Sequence, residues 1–97
     1  MKERDIERHL VKRVKALGGE VRKVQWIGRR GAPDRLVMLP PMYQGLGKII
    51  SNHCWIELKA PGVKAEPHQL REHERMRAMS QRVVVIDSIE GVDALLA

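Results

Sequence analysis

Three residues of this sequence carry types and spacing that could do chemistry: Asp34, which closes the stretch Gly31-Ala32-Pro33-Asp34, and Glu57 and Lys59, which flank Leu58. In an extended strand alternate side chains share a face. Glu57 and Lys59 therefore project together and Leu58 projects oppositely. Asp34 stands at the head of the apolar run 35–39, Arg-Leu-Val-Met-Leu, which suits a strand. If that strand pairs with the one ending at Glu57, the two carboxylates converge and repel each other unless a cation neutralises them. Paired carboxylate oxygens suit Mg²⁺, which keeps several waters and accepts one or two carboxylates. Such an ion polarises a phosphate oxygen and helps to form a hydroxide nucleophile. A lysine beside it can orient the attacking water or stabilise phosphoryl charge. Arg29, Arg30 and Arg35 lie close in sequence and are candidates for holding phosphates of DNA. Each part alone is weak. A Pro-Asp pair is an ordinary turn, and Glu-Leu-Lys at a strand end is commonly a solvent-facing alternation.

The elements that must position these residues follow from hydrophobic period and breakers. Residues 2–17 read as a helix, with Ile6, Leu10, Val11, Val14 and Leu17 on one stripe, ended by Gly18-Gly19. Glu3 and Glu7 point within the same arc. A carboxylate on a buried stripe is costly unless paired, so Glu7, one turn deeper than Glu3, is the better candidate to face an interior cation. Residues 20–26, 35–39 and 48–59 suit three strands, the last with a bend near Ser51-Asn52. Residues 41–48 read as a turn or flexible loop once Pro40-Pro41 has ended the strand. Pro67 suits the first turn of a helix running to about Ser80, with Leu70, Met76 and Met79 inward and His73 beside them. Residues 82–87 read as a buried strand, and Ser88 caps a last short helix. The order αβββαβα predicts a small α/β sandwich. Three strands form an antiparallel meander, and a fourth joins by a helical crossover.

Composition narrows the partners. The 97 residues predict a single domain spanning 1–97. Two Trp, one Tyr and no Phe leave an aliphatic core. The net charge of +6 is confined to residues 1–35, with 11 basic and 5 acidic residues; the remainder is balanced. A basic region on a small domain points to a polyanion, most often nucleic acid. One cysteine excludes an internal disulfide, no stretch reaches the ~20 apolar residues of a membrane span, and the charged N-terminus does not resemble a signal peptide. A soluble cytoplasmic protein with no membrane partner is expected.

Taken in order, the Gly-x-Pro-Asp turn, the strand-closing Glu57-Leu58-Lys59 and a glutamine on the next helix, Gln69, resemble the PD-(D/E)xK nuclease superfamily. More narrowly, Gly31 to Arg35, Trp55 to Lys59 and Gln69 resemble the VRR-NUC family, especially its short stand-alone phage and bacterial members. The resemblance runs from the first helix to the final strand. It implies a restriction-endonuclease-like core, with a mixed sheet of about four strands flanked by helices. It also implies Mg²⁺-dependent cleavage of DNA phosphodiesters, with Mn²⁺ able to substitute, in a bacterial cell or a phage-infected host. Asp34 and Glu57 become metal ligands, the Leu58 backbone carbonyl a third contact and Lys59 the catalytic lysine. Gln69 matches the helix glutamine of the family's catalytic set. Glu7 matches its first-helix acid, acting through a water on the metal, with Glu3 as the rival. By analogy with junction-resolving relatives, the substrate would be branched DNA, such as Holliday junctions or flaps, and the protein a homodimer. A two-fold pair would double a small basic surface, through the segment 40–47 or the last helix.

Two other classes compete with this reading. A non-catalytic DNA-binding module would explain the charge but not the acids with the lysine. A small oligomeric scaffold would bind no nucleic acid even at low salt. His9, His53, His68 and His73 lack zinc-ligand spacing. Cys54 is expected as a small core or interface residue, and core packing is expected for at least one of Trp26 and Trp55.

Overall fold

A computed structural model describes residues 1–44, 48–50 and 52–97. Its elements are α1 (Glu3–Ala16), β1 (Glu20–Lys23), β2 (Arg35–Met38), β3 (Met42–Gln44), β4 (Lys48–Ile50), β5 (His53–Leu58), α2 (Pro67–Ala78), β6 (Val83–Ile86) and α3 (Ile89–Leu96). The main sheet has the order β1-β2-β5-β6, with antiparallel pairing except between β5 and β6. The meander and the α2 crossover therefore form as expected. The third expected strand, 48–59, joins the sheet only over its second half. Residues 48–50 pair instead with 42–44 as a separate two-stranded ribbon, and β5 begins at His53. The predicted loop over 41–48 thus contains a strand, while residues 45–47 and, of the expected bend near Ser51-Asn52, Ser51 lie outside the described residues. At the base of the ribbon the backbone N–H of Leu39 donates to Asn52 O (2.9 Å) and the Asn52 amide to Pro40 O.

The core is aliphatic and lies between the sheet and the pair α1 and α3. Ile6, Leu10 and Val14 of α1 are fully buried against Val37, Cys54, Ile56, Leu58, Ile86 and Val92. Each such side chain contributes roughly 1.5–3 kcal/mol of burial. The outer members of the expected stripe, Val11 and Leu17, are exposed. Cys54 takes the core place expected of it. A polar contact links the two helices: His9 Nε2 lies 2.7 Å from Asp93 Oδ1, and Arg13 pairs with the same oxygen.

Helix α2 turns a different face inward than its apolar residues suggest. Its buried residues are Glu72, His73 and Met76, while Leu70 is 48% and Met79 67% exposed. Pro67 opens the helix as expected. In α3 the Ser88 hydroxyl accepts from the Gly91 N–H at 2.9 Å, which is the predicted cap.

Candidate active site

Strand alternation divides β5 into two faces. Cys54, Ile56 and Leu58 enter the core, while Trp55, Glu57 and Lys59 share the opposite face. Arg35 of β2 stands opposite Ile56, so one step further along the same register Asp34 stands opposite Glu57. This is the convergence the sequence spacing requires. The backbone N–H of Lys59 donates to Ile86 O at 2.9 Å, which extends the ladder to β6 and fixes the lysine's root.

Asp34 is held by its own turn. The Trp26 indole N–H donates to Pro33 O at 2.7 Å, and the Val24 N–H donates to Asp34 O at 3.0 Å. Trp26 packs at a tilt on Trp55 with centroids 5.1 Å apart, and the Trp55 indole donates to Gln81 at 3.0 Å. The two tryptophans therefore brace the turn from below. Gly31 braces it from the side. Its φ is +87°, and a Cβ there would stand 2.8 Å from His68 O and 3.2 Å from Gln69 Cα. Only a glycine lets the loop approach the first turn of α2 so closely. That contact brings Asp34 and Gln69 to one end of the sheet.

The electrostatics of the pair are strained. Glu57 is 8% exposed, and its Oε1 has no hydrogen-bond partner among the described residues. Burial first, and then the charge of Asp34, push its carboxyl up from 4.5 to about 7; Lys59 opposes this, Glu3 adds to it and Arg35 opposes it. Asp34 is 56% exposed and pairs with Arg35 Nη1 at 3.0 Å. Beside Glu57, at 3.5 Å, is the Nε2 atom of the fully buried His73, whose burial lowers its pKa below 6.5.

Two expected roles change. Arg35 was expected on DNA phosphate, but it is 6% exposed, and its Nε donates to Glu7 Oε2 at 2.8 Å while Nη2 pairs with the same oxygen. Burial disfavours its charge, yet Glu7 and Asp34 more than offset this and hold the proton more firmly than usual. Its fork is satisfied inside the protein and has no face left for phosphate. Glu7, expected to reach the metal through a water, is therefore committed to Arg35. Of the two first-helix acids, the one whose charge acts on Glu57 is Glu3.

The remaining expected residues are placed as follows. Gln69 is half-buried, and its Oε1 accepts from the Glu66 N–H at 2.8 Å as part of the α2 capping box. Arg29 lies 3.5 Å from Glu72 Oε1, which also pairs with Arg75 at 2.8 Å. Arg30 is exposed and has no acidic partner among the described residues. Leu58 is buried on the core side.

The sequence reading missed Glu72 and His73 as members of this region. A signal was available: Gln69, Glu72, His73 and Met76 follow the i, i+3, i+4, i+7 spacing of one helical face. The stripe is polar, and so it does not register as an inner face.

The donor set fits a hard divalent cation. Two carboxylates face each other, and one buried oxygen is unpartnered. Among the described residues no three His, Cys, Asp or Glu side chains gather to form a complete protein cage. Two carboxylates with the remaining positions left to water or phosphate is the usual Mg²⁺ arrangement.

The sheet order, the flanking helices and the acid pair with its lysine define a restriction-endonuclease-like α/β nuclease fold. No family model matches the chain. A protein of Acyrthosiphon pisum secondary endosymbiont phage 1, named "Putative nuclease p44", is 49% identical over 88 residues, which make up 91% of this chain and 85% of that protein. A solved structure described as a VRR_NUC domain matches with a TM-score of 0.78 at 42% identity, over 99% of this chain and 95% of the other. The chain belongs to the VRR-NUC family.

Proposed function

We propose that this domain is a divalent-metal-dependent DNA endonuclease selective for branched DNA, working as a homodimer. The observation that carries the metal requirement is the unpartnered, buried Glu57 Oε1 opposite Asp34. A buried carboxyl whose pKa is raised, facing a second carboxylate, is poor design for stability and good design for holding a cation.

In this reading Asp34 and Glu57 hold Mg²⁺ or Mn²⁺, with the Leu58 carbonyl as the expected third contact. When bound, the ion polarises a phosphate oxygen and lowers the pKa of a water. Lys59, on the same face as Glu57, orients the attacking water and balances charge on the phosphorus oxygens. Water adds to phosphorus and gives up a proton, the bond to the leaving deoxyribose oxygen breaks, and that oxygen takes up a proton from solvent. Gln69 lies beside the Asp34 turn and is positioned to meet substrate or water. Glu7 acts indirectly, by holding Arg35 against the Asp34 backbone carbonyl (3.3 Å). Arg30, and Arg29 in part, meet DNA phosphates. The dimer rests on size, since one 97-residue domain offers little surface to a branched duplex. A groove of about 580 Å³ lined by Leu17, Val37, Leu39, Leu95 and Leu96, away from the acid pair, is consistent with a subunit contact.

The test is a cleavage panel of four-way junction, flap, nicked and linear DNA with Mg²⁺, Mn²⁺ or chelator, with solution mass measured alongside. Cleavage that needs metal, prefers branched DNA and falls at least about a hundredfold in Asp34→Ala and Lys59→Ala supports the reading. Undiminished cleavage in chelator or in Asp34→Ala refutes it. A monomer at working concentration removes the dimer.

A further inference from the structure

The established family explains Asp34, Glu57 and Lys59 but gives no work to His73, the most deeply buried polar side chain in the region. His73 has no exposed surface, and neither of its ring nitrogens has a hydrogen-bond partner among the described residues. A buried imidazole without partners is costly, and native proteins seldom keep one. A leucine or methionine would fill the same space on α2 without that cost. The nearest polar atom is Glu57 Oε1, 3.5 Å from Nε2, and it is itself buried and unpartnered. Two orphaned groups that face each other just beyond hydrogen-bond length form a pair waiting for a small closing movement.

We propose that His73 is a positioning residue for Glu57, donating a hydrogen bond from Nε2 to Oε1 and so leaving the second carboxylate oxygen directed at the cation. This rests on the metal-site reading above. A carboxylate ligand that can swing between two oxygens pays rotational freedom to bind, and one already tethered through one oxygen pays less. Ligating carboxylates are commonly held by such outer partners, and losing one typically costs about 10–100-fold in metal affinity. The arrangement also explains the inward face of α2. Glu72 anchors the arginines and His73 anchors the metal acid, so the polar stripe links the crossover helix to the site.

The test replaces His73 by Met, which fills the space with no donor, and by Gln, whose amide can donate. Mn²⁺ binding is measured by calorimetry on the free protein, with no DNA present. Circular dichroism and thermal melting report folding. Expected is an increase of about 10–100-fold in the Mn²⁺ dissociation constant for His73→Met, with a melting temperature no lower than wild type. His73→Gln should recover most of the affinity. A folded Met variant that binds Mn²⁺ as tightly as wild type overturns the inference while leaving the metal site in place. So does equal loss of affinity in Met and Gln. A wild-type protein that binds no Mn²⁺ overturns both readings. If the Met variant does not fold, the Gln variant decides: affinity within about threefold of wild type supports the donor role, and a larger loss refutes it.

Discussion

Glu57 should make the metal-free protein less stable as the solution becomes more alkaline, which is opposite to the behaviour of most carboxylates. Its carboxyl titrates near 4.5 when unfolded and about 7 when folded. Below pH 4.5 both states hold the proton and the group has no effect. Between 4.5 and about 7 the folded state holds more protons than the unfolded state, so stability falls as pH rises. Above about 7 the loss is complete. Each pH unit is worth about 1.4 kcal/mol, so the interval bounds the effect at roughly 3 kcal/mol. Asp34, the second cause of the shift, is 56% exposed, and water screens its share. The expected span is therefore about 1–2 kcal/mol. His73 works the other way: burial lowers its pKa below 6.5, so its share of stability is present above that value and lost in acid. The quantity to follow is the difference between wild type and Glu57→Gln, which removes the titrating carboxyl and keeps the side-chain volume. Urea unfolding of both proteins from pH 5 to 8, in chelator, gives that difference. Glu57→Gln should gain on wild type by about 1–2 kcal/mol across the range. Saturating Mn²⁺ at pH 7.5 should stabilise wild type by about 2.7 kcal/mol at a hundredfold excess over the dissociation constant, enough to offset the gain of Glu57→Gln and reverse the order. A pH-independent difference would refute the argument that Glu57 is a destabilised acid.

Four further substitutions probe the loop and its anchors. Gly31→Ala should cost about 2 kcal/mol in chemical denaturation, because the residue has φ +87° and a Cβ would press on His68 O; cleavage should fall with it as the turn leaves α2. Arg35→Met should cost about 2–3 kcal/mol, less than the roughly 3–5 of a wholly buried pair, because the stranded Glu7 is 33% exposed and can reach water. Arg30→Ala should lower the slope of DNA affinity against salt by about 1. Arg29→Ala should lower it by less, since Glu72 already holds that side chain.

The acid pair was legible because it depends on the one period a strand cannot break. Once Glu57 and Lys59 alternate with Leu58, a partner strand starting after Asp34 needs only the observed register to bring the acids together. The crossover was legible for a different reason: 82–87 follows a helix, which lets it join the sheet in parallel, and it does so as the edge strand β6. What failed were inferences from hydrophobicity alone. Leu70 and Met79 looked inward-facing and are exposed; Glu72, which no apolar pattern marks, is buried, and His73, expected beside the inner face, is buried within it. An apolar stripe marks a face that packs on a core, but α2 packs on the functional face of the sheet, where a polar neighbour is tolerated. The fate of Arg35 was hidden as well, because its partner Glu7 lies on another element 28 residues away. A charge count cannot tell a buried ion pair from a surface one. The ribbon of 42–44 with 48–50 was hidden by Pro40-Pro41, which follows β2 but does not prevent a new strand from starting at the next residue, Met42.

The same distinction bears on why a basic protein keeps an unneutralised acid pair. The three arginines around Asp34 could in principle compensate both carboxylates and remove the need for a cation. The fold prevents this by giving two of them other acids and leaving Arg30 exposed. Glu7 takes Arg35, and the buried Glu72 holds Arg29 together with Arg75. Arg35 still touches Asp34 but lies on the far side of it from Glu57 in the strand alternation. Burial and mutual repulsion then outweigh the pull of Lys59 and Arg35 at Glu57, whose pKa stays high. Acids placed behind the arginines thus keep positive charge away from the acids in front. An additional arginine contact to Glu57 would stabilise the empty protein and, by the same interaction, compete with any cation for that carboxylate. On this reasoning Glu72 matters to the site although it touches none of its ligands. Releasing Arg29 and Arg75 with Glu72→Gln should raise DNA affinity, through freed phosphate contacts, and weaken Mn²⁺ binding if either arginine swings toward Glu57. Enhanced DNA binding with unchanged metal affinity would show that the arginines stay outside the acid pair even when unheld, and that the pair is kept open by strand geometry alone.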